Sequence, residues 1–255
     1  MGRVEGKVAI STGAASGLGE ADARLLAAEG ASVVMTDINT AAGEVIAGEI
    51  GAEFVQQDVS EEATWPMLVE RVMDRHGRLN ILVNNAAVLY NGTAPELADA
   101  EWDEMFAVNV SALFRTSRAA LRHMLAAKSG VIVNLASESG LNGEPALGAY
   151  CATEGAVIQL TKSMALDHIR DGVRINALCP GETHTQMMDD ILKQKGGDFD
   201  ESLKDFARGI PMGRIADPAE VARCVLFLAS EDASYVTGVN FPVDGGNDAT
   251  GGVYP

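Results

Sequence analysis

Residues 8–20 read VAISTGAASGLGE, an apolar run that leads through three glycines into a helical pattern. The β-branched and small apolar residues at 8–11 predict a buried strand, and Gly13, Gly17 and Gly19 predict a tight turn into the helix. Glycine lets the backbone approach a pyrophosphate, whose charge is stabilised at a helix N-terminus. The spacing is G-x-x-x-G-x-G rather than G-x-G-x-x-G, so the turn indicates a nucleotide site but also fits a methyltransferase.

Strand and helix patterns alternate along all 255 residues. Strands are expected at residues 8–11, 32–37, 53–56, 81–84, 131–135, 174–178 and 240–243. Helices are expected at residues 18–29, 41–50, 62–76, 102–127, 150–169 and 219–229. This alternation predicts a single domain of the α/β class, a doubly wound parallel sheet between two layers of helices. Ligands of such sheets bind beyond the carboxyl ends of the strands.

Composition and net charge indicate the kind of core and the class of binding partner. Hydrophobic residues make up 47% of the chain and aromatic residues only 5%, so aliphatic side chains form the core. The net charge of −17 argues against a nucleic-acid partner, because a phosphate backbone requires clustered Lys and Arg. Two explanations of the charge stay open: solubility, or a preference for neutral or cationic small molecules.

Targeting and metal-binding patterns are lacking in the sequence. No apolar run approaches the ~18–20 residues of a membrane span, and the first residues lack the long apolar segment of a signal peptide. Cys151, Cys179 and Cys224 fit neither a disulfide framework nor a zinc site, and the four histidines lack metal-ligand spacing. We therefore expect a cytoplasmic protein with no catalytic metal and no membrane partner.

Residues 182–209 depart from the alternating pattern. The stretch is polar and is interrupted by Gly196 and Gly197. So long a connection between a strand and a helix predicts irregular structure, as either a mobile lid over the substrate or a surface insertion.

Asp37 closes the second predicted strand, SVVMTD. A carboxylate at this position accepts hydrogen bonds from both ribose hydroxyls and repels a 2′-phosphate. No Arg or Lys stands beside Asp37 or in the glycine turn, so the sequence favours NAD over NADP. The alternative is that Asp37 serves as the N-cap of the helix that follows.

Seven motifs in order resemble the short-chain dehydrogenase/reductase family over almost the whole chain. They are TGAASGLG at 12–19, DVS at 58–60, NNAA at 84–87, VNV at 108–110, VNLASESG at 133–140, CPGETHT at 179–185 and YVTGVNFPVDGG at 235–246. The resemblance implies a Rossmann fold and hydride transfer between a nicotinamide cofactor and an alcohol or carbonyl carbon. It also implies a homotetramer, in which the helices predicted at 102–127 and 150–169 pack against their copies.

The same resemblance implies the roles of individual residues. Tyr150 is the acid/base, Ser137 donates to the substrate oxygen, and Asn109 anchors a water in a proton path to solvent. The cofactor-binding residues are Gly13, Ser16, Gly17, Leu18, Gly19, Asp37, Asp58, Val59, Asn85, Ala86, Tyr150, Glu154, Pro180, Gly181, Thr183 and Thr185. The residues expected to face the substrate are Leu89, Ser139, Glu144 and Met187.

Residues 149–157, AYCATEGAV, depart from the family pattern Tyr-x-x-x-Lys, because Glu154 stands where the lysine is expected. Positions i and i+4 share one helix face, so residue 154 lies beside the Tyr150 phenol. In the family the lysine favours tyrosinate and holds the ribose hydroxyls. A unit charge roughly 5 Å away at an effective dielectric constant of about 20 is worth about 3 kcal/mol, or roughly two pKa units. An ionised Glu154 would therefore raise the pKa of Tyr150.

Catalysis is compatible with Glu154 in two alternative ways. In the first, burial in a dry pocket keeps its carboxyl group protonated; in the second, the carboxylate receives the catalytic proton through the ribose hydroxyl. We expect an NAD-dependent oxidoreductase that interconverts a secondary alcohol and a ketone, with activity reduced by Glu154. The alternative is a catalytically weak or inactive NAD-binding sensor or partner protein.

Overall fold

The computed structural model describes residues 2–195 and 199–250, and seven strands within them form one parallel sheet. The strands are β1 (Val8–Thr12), β2 (Ser32–Asp37), β3 (Glu53–Gln56), β4 (Ile81–Asn84), β5 (Gly130–Leu135), β6 (Val173–Pro180) and β7 (Asn240–Val243). Their order is β3-β2-β1-β4-β5-β6-β7, and each neighbouring pair is parallel. The order reverses between β1 and β4, so the carboxyl ends of these two strands border the crevice where such sheets bind ligands.

Nine helices are described within residues 2–195 and 199–250. They are α1 (Gly17–Ala28), α2 (Thr40–Ile50), α3 (Thr64–His76), α4 (Asp99–Met105), α5 (Leu113–Ala127), α6 (Gly148–His168), α7 (Gln186–Lys195), α8 (Phe199–Gly209) and α9 (Pro218–Ala229). One face of the sheet packs against α3, α5 and α6, and the other packs against α1, α2 and α9. The predicted three-layer, doubly wound fold is confirmed.

The core forms because the strands are apolar on both faces. Every residue of β1 is buried, with Val8 and Ile10 in the cluster beneath α3, α5 and α6, and Ala9 in the cluster beneath α1, α2 and α9. Side chains alternate between the two faces of a strand, so a strand covered on both sides has no solvent-facing position.

The helix predicted at 102–127 is longer and less regular than expected. It begins at Asp99, because the Glu101 carboxylate accepts the backbone N–H of Ala98 at 3.0 Å and acidic side chains stabilise a helix N-terminus. Its middle section, Phe106–Ala112, is wound as a π-helix. Such a bulge is common at functional sites, and this one contains Asn109.

The irregular structure expected for residues 182–209 is wrong for most of the stretch, which forms α7 and α8. Met188 and Leu192 lie one helical turn apart on α7, and both are buried. Burial of this apolar pair stabilises a helix in a mainly polar segment. Gly196 and Gly197 lie outside the described residues, and the lid role stays a prediction.

Candidate functional site

A cleft of about 430 Å³ opens at the carboxyl edge of the sheet, at the reversal of strand order. It is lined by residues at or just after the ends of five strands, together with the start of α6 and the start of α7. The residues at or just after the strand ends include Gly13, Asp37, Gln57, Asn85 and Ala136. Parallel strands all end at this edge, so loops from distant parts of the sequence meet here.

The glycine turn forms the floor of the cleft, and its geometry requires glycine. Gly13 and Gly17 have φ angles of 62° and 56°, in the left-handed region that other residues rarely adopt. A Cβ atom on Gly13 would lie 2.8 Å from the Ala86 Cα, and one on Gly19 would lie 2.2 Å from the Gly13 carbonyl oxygen. The three glycines therefore leave the backbone bare beside the N-terminus of α1, where it can approach a pyrophosphate.

Thr12 and Asn85 hold the glycine turn against the loop after β4. The Thr12 Oγ1 accepts the backbone N–H groups of Asn85 and Ala86 at 3.0 and 3.1 Å. The Asn85 side-chain amide donates to the carbonyl oxygens of Thr12 and Gly13 at 3.0 and 3.1 Å. These bonds join the two loops on either side of the strand-order reversal. Thr12 was not among the predicted site residues, although it opens the motif TGAASGLG at 12–19.

Asp37 braces the glycine turn rather than capping α2. Its Oδ2 accepts the backbone N–H of Ala15 at 3.0 Å, and its Oδ1 accepts that of Asn39 at 2.9 Å. The N-cap of α2 is Asn39, whose Oδ1 accepts from Ala42 N at 3.2 Å. The capping alternative is therefore wrong. Each carboxylate oxygen keeps a free lone pair, and Asp37 lines the cleft.

Ser137 and Tyr150 lie together beside the cleft. Ser137 lies two residues after β5, and Tyr150 lies in the first turn of α6. Burial raises the pKa of the Tyr150 phenol well above its usual range, the Glu154 charge raises it further, and the neighbouring Ser137 hydroxyl lowers it. The Tyr150 side chain packs in a small cluster with Met105 and Ala149. A phenol held this way is a proton donor and acceptor of fixed position.

Glu154 is buried one helical turn after Tyr150 and is only 2% exposed. Burial raises the pKa of its carboxyl group to about 8, against an opposing hydrogen bond from Thr153. That hydrogen bond is weak, because the single hydroxyl hydrogen of Thr153 has a closer acceptor in the Tyr150 carbonyl, at 2.8 Å against 3.2 Å to Glu154 Oε1. The carboxyl group is mostly neutral at pH 7.

Asn109 ties the loop after β4 to α6. Its side chain exchanges two hydrogen bonds with the backbone of Val88, both 2.9 Å long. Its Nδ2 also donates to Thr153 Oγ1 at 3.2 Å. Asn109 is buried and does not line the cleft. The predicted water-anchoring role stays a prediction, and the observed contacts make Asn109 a brace between two walls of the site.

The structure brings most of the predicted residues to the cleft. Those that line it are Gly13, Ser16, Gly17, Leu18, Asp37, Asp58, Val59, Asn85, Ala86, Tyr150, Glu154, Thr185 and Met187. Those that do not line it are Gly19, Leu89, Asn109, Ser137, Ser139, Glu144, Pro180, Gly181 and Thr183. Of these, Pro180, Gly181 and Thr183 lie in and just after β6, where Thr183 Oγ1 donates to the Gly181 carbonyl at 3.0 Å.

Sequence reasoning missed several lining residues. They are Ile38, Gln57, Ser60, Ala87, Val88, Glu104, Ala107, Val108, Leu135, Ala136 and Gln186. Many of them stand within a few residues of a predicted strand end. Their position just after a strand could have identified them, because the residues that follow the strands of a parallel sheet all lie at the same edge.

The described part of the chain contains neither a cluster of metal-ligating side chains nor a helix that could span a membrane. Among residues 2–195 and 199–250, no group of three His, Cys, Asp or Glu side chains is placed to hold a metal ion. The three cysteines are free. No helix described in those ranges has the length and apolar character to cross a bilayer.

A doubly wound sheet with a glycine turn at its reversal point and a phenol beside the same cleft is the architecture of a dinucleotide-dependent oxidoreductase. The chain belongs to the short-chain dehydrogenase/reductase family. Residues 13–248 match the family model described as enoyl-(acyl carrier protein) reductase. The predicted resemblance is confirmed, and with it an alcohol dehydrogenase/reductase that uses a nicotinamide cofactor.

Individual relatives extend over almost the whole chain. The meso-2,3-butanediol dehydrogenase of Serratia marcescens is 41% identical, over 98% of this chain and 98% of that protein. The sorbitol dehydrogenase of Cereibacter sphaeroides is 37% identical, over 96% of this chain and 98% of that protein. The crystal structure of levodione reductase superposes with a TM-score of 0.92 at 32% identity, covering 96% of this chain and 98% of that one.

Proposed function

We propose that the protein interconverts a secondary alcohol and a ketone with NAD as the cofactor. The observation that carries the proposal is the proximity of Ser137 to the Tyr150 phenol, beside a cleft whose floor is the glycine turn. The residues present fit a dinucleotide, because a Cβ atom at Gly13 or Gly19 would collide with neighbouring backbone. The predicted cofactor residues that line the cleft are proposed as its contacts, and Gly19, Pro180, Gly181 and Thr183 are proposed to shape its walls.

The preference for NAD over NADP rests on Asp37. The free lone pairs of its two carboxylate oxygens suit ribose hydroxyls and oppose a 2′-phosphate. The next residue is Ile38, which is 69% exposed and uncharged. Among the described residues that line the cleft there is no Lys or Arg to pair with a phosphate.

The chain supplies proton transfer and charge stabilisation. When bound, the nicotinamide accepts the hydride during oxidation and supplies it during reduction. Tyr150 takes the proton of the alcohol, for which its phenol must first become tyrosinate. Ser137 donates a hydrogen bond to the substrate oxygen as charge develops on it. Asn109 holds the loop after β4 against helix α6, so that Tyr150 stays at the cleft.

Glu154 permits this chemistry in its neutral form. With a pKa of about 8, the carboxyl group carries little charge at neutral pH, and its repulsion of tyrosinate is then largely removed. Above pH 8 the carboxylate forms and opposes tyrosinate. Glu154 also lines the cleft, where it is proposed to accept hydrogen bonds from the ribose in place of the lysine.

The proposed substrate is a small alcohol with a second polar group, such as a diol. Leu89 packs against the small cluster that contains Tyr150, and Met187 lines the cleft from α7. Ser139 and Glu144 form a polar group next to Ser137. A second hydroxyl suits such acceptors. Support also comes from the relatives, one named for meso-2,3-butanediol and another for sorbitol.

One observation favours the alternative of a catalytically weak NAD-binding sensor or partner protein. The acidic Glu154 raises the pKa of Tyr150, whereas the lysine of the family pattern lowers it. A cofactor site with an unreactive phenol would bind NAD without turnover.

The test measures NAD and NADP affinity, and NADH formation on a panel of secondary alcohols and diols from pH 6 to 10. The chain and its Glu154→Lys variant are compared. We expect both to bind NAD and the lysine variant to turn over faster near neutral pH. NAD binding without turnover in the unmodified chain supports the sensor. Failure of both forms to bind NAD contradicts the proposed function.

A cytoplasmic location and a homotetramer complete the proposal. The three free cysteines suit a reducing compartment. Large apolar side chains are exposed on the helices that the family resemblance places at subunit contacts, including Trp102 on α4, Phe114 on α5 and Leu166 on α6. Sedimentation equilibrium distinguishes a tetramer from a monomer.

A further inference from the structure

The position of Ser137 is set by the short turn after β5, the serine turn (residues 137–142). The Ser137 Oγ accepts the backbone N–H of Ser139 at 3.2 Å, and the Ser137 carbonyl oxygen accepts that of Gly140 at 3.0 Å. These bonds join the turn into one unit. Whatever holds the serine turn in place therefore also fixes where the Ser137 hydroxyl group lies.

The serine turn is held between α6 and a distant segment of the chain. On one side it packs on α6 so closely that a Cβ atom on Gly140 would lie 2.7 Å from the Glu154 carbonyl carbon. On the other side it meets the closing turn (residues 244–250). There the Asn247 side-chain amide donates to Glu138 Oε2 at 3.0 Å, across 109 positions of sequence.

The closing turn is a rigid support for Asn247. The two carboxylate oxygens of Asp244 accept the backbone N–H groups of Gly246 and Asp248 at 2.9 and 2.7 Å. The Thr250 Oγ1 donates to the Asn247 carbonyl oxygen at 2.7 Å. A side chain on a backbone that is already ordered loses less entropy when it forms a further hydrogen bond. Asn247 therefore holds its amide in a set place.

Glu138 is the buried member of the contact between the two turns. It is only 6% exposed, and a buried carboxyl group requires hydrogen-bond donors, of which Asn247 supplies one. The space around it is tight, because a Cβ atom on Gly181 would lie 3.1 Å from the Glu138 carboxyl carbon and 2.8 Å from the Asp244 Cα. The end of β6 and both turns therefore meet at this carboxyl group.

We propose that Glu138 is a positioning residue for Ser137, because its hydrogen bond with Asn247 fastens the serine turn to the closing turn. The inference rests on the proposed function and deepens it. Neither Glu138 nor Asn247 lines the cleft, so both act through Ser137. A second hydrogen bond, from the Asn142 side-chain amide to Asp248 Oδ1 at 3.2 Å, joins the same two turns. A donor displaced by about 1 Å loses much of its stabilisation of the substrate oxygen.

The contact carries a charge that depends on pH. The charged groups around Glu138 are Glu182 after β6, Glu144 before α6 and Asp244 in the closing turn, with Glu154 of α6 beyond the serine turn. Burial and then the first three of these carboxylates raise the pKa of Glu138 to about 7, against the opposing hydrogen bond from Asn247. The Asn247 amide donates to both the neutral and the ionised form.

Loss of either partner should lower kcat. We expect Glu138→Ala and Asn247→Ala each to reduce kcat at pH 7 by about tenfold with unchanged NAD affinity, because the Ser137 hydroxyl group is no longer held. The double variant should be no slower than either single variant, since the two side chains act as one unit. Glu138→Gln keeps an acceptor for Asn247 without the charge and should retain most of the activity. This variant separates the hydrogen bond from the charge.

Asn247→Asp gives a pH readout of the same contact. At pH 6 Glu138 retains its proton and donates it to the new carboxylate, so the two turns stay joined. At pH 9 both carboxyl groups are ionised and repel each other. We expect kcat of Asn247→Asp to equal that of the unmodified chain at pH 6 and to be about tenfold lower at pH 9.

The experiment measures kcat and KM from pH 6 to 9, NAD affinity and melting temperature. Glu231→Ala is the matched control, because its side chain is 84% exposed and lies outside the cleft. If Glu138→Ala does not fold, Asn247→Ala and Asn247→Asp provide the test. Unchanged kcat in Asn247→Ala, additive losses in the double variant, or a constant kcat ratio from pH 6 to 9 for Asn247→Asp overturns the inference while the proposed function stands. An unmodified chain without turnover contradicts the proposed function itself, and the inference with it.

Discussion

Glu154 lies four residues after Tyr150 on α6, and its charge raises the pKa of the Tyr150 phenol. Burial raises the pKa of Glu154 itself to about 8. The two groups are coupled, because ionisation of the carboxyl group makes ionisation of the phenol harder. The proposed activity therefore depends on the protonation state of Glu154, which stands where the family pattern has a positively charged lysine.

Replacement of Glu154 by glutamine tests that coupling. The amide resembles the neutral carboxyl group, so we expect equal kcat at pH 6. At pH 9 the unmodified chain carries the Glu154 charge, and we expect Glu154→Gln to be faster by about tenfold to a hundredfold. The measurement is the ratio of the two kcat values from pH 6 to 10. A ratio that stays constant with pH would contradict the coupling, and Glu70→Gln, on an exposed side chain, serves as the control.

The same variant has an expected effect on stability. The folded-state pKa of Glu154 is about 8, above its ordinary value of 4.5. The folded protein therefore retains a proton that the unfolded chain releases, and the free energy of unfolding falls as pH rises from about 4.5 to about 8. The fall is at most about 1.4 kcal/mol per pH unit. The Glu154→Gln variant has no such ionisation, so this fall in the free energy of unfolding is absent. Urea unfolding should therefore show a stability difference between the two proteins that grows from about pH 4.5 to about pH 8 and stays constant above pH 8. Equal pH dependence of the two proteins would sink the prediction.

Substitution of Asp37 should weaken the discrimination between cofactors. Asp37→Asn removes the charge that opposes a 2′-phosphate and one of the acceptors for the ribose hydroxyls. We expect the ratio of NADP to NAD dissociation constants to fall by about tenfold. Fluorescence titration with both reduced cofactors measures it. Asp232→Asn, at an exposed ion pair with Arg3, is the control, and an unchanged ratio in Asp37→Asn would remove Asp37 from the cofactor site.

Alanine substitution at two glycines should weaken NAD binding at one position and stabilise a helix at the other. In Gly19→Ala the new Cβ atom lies 2.2 Å from the Gly13 carbonyl oxygen, so the turn must shift and NAD binding should fall by at least about a hundredfold. In Gly48→Ala on α2 the Cβ atom meets nothing within 4 Å, and the helix should gain about 0.5–1 kcal/mol. Calorimetric titration and thermal unfolding measure the two effects. Full NAD binding by Gly19→Ala would contradict the proposed role of the turn.

The sequence predicted the sheet well because its signals are local. The apolar runs and the turns between them are read within a few residues, and the seven predicted strands are all present with small differences at their ends. The helical content of residues 182–209 was missed, because the buried Met188 and Leu192 stand among polar residues. The early start at Asp99 depends on a local hydrogen bond to Glu101, which a hydrophobic pattern does not register.

The sequence by itself determined the fold class, the glycine turn, the carboxylate at Asp37 and the conflict between Tyr150 and Glu154, because each depends on residue type and short spacing. Only the tertiary structure decided the state of the groups in the site. Burial sets the pKa of Glu154, Thr153 links it to Asn109, and Ser139 links Ser137 to Glu144. Desolvation and hydrogen-bond direction depend on atoms brought together from separate loops, which no linear pattern contains.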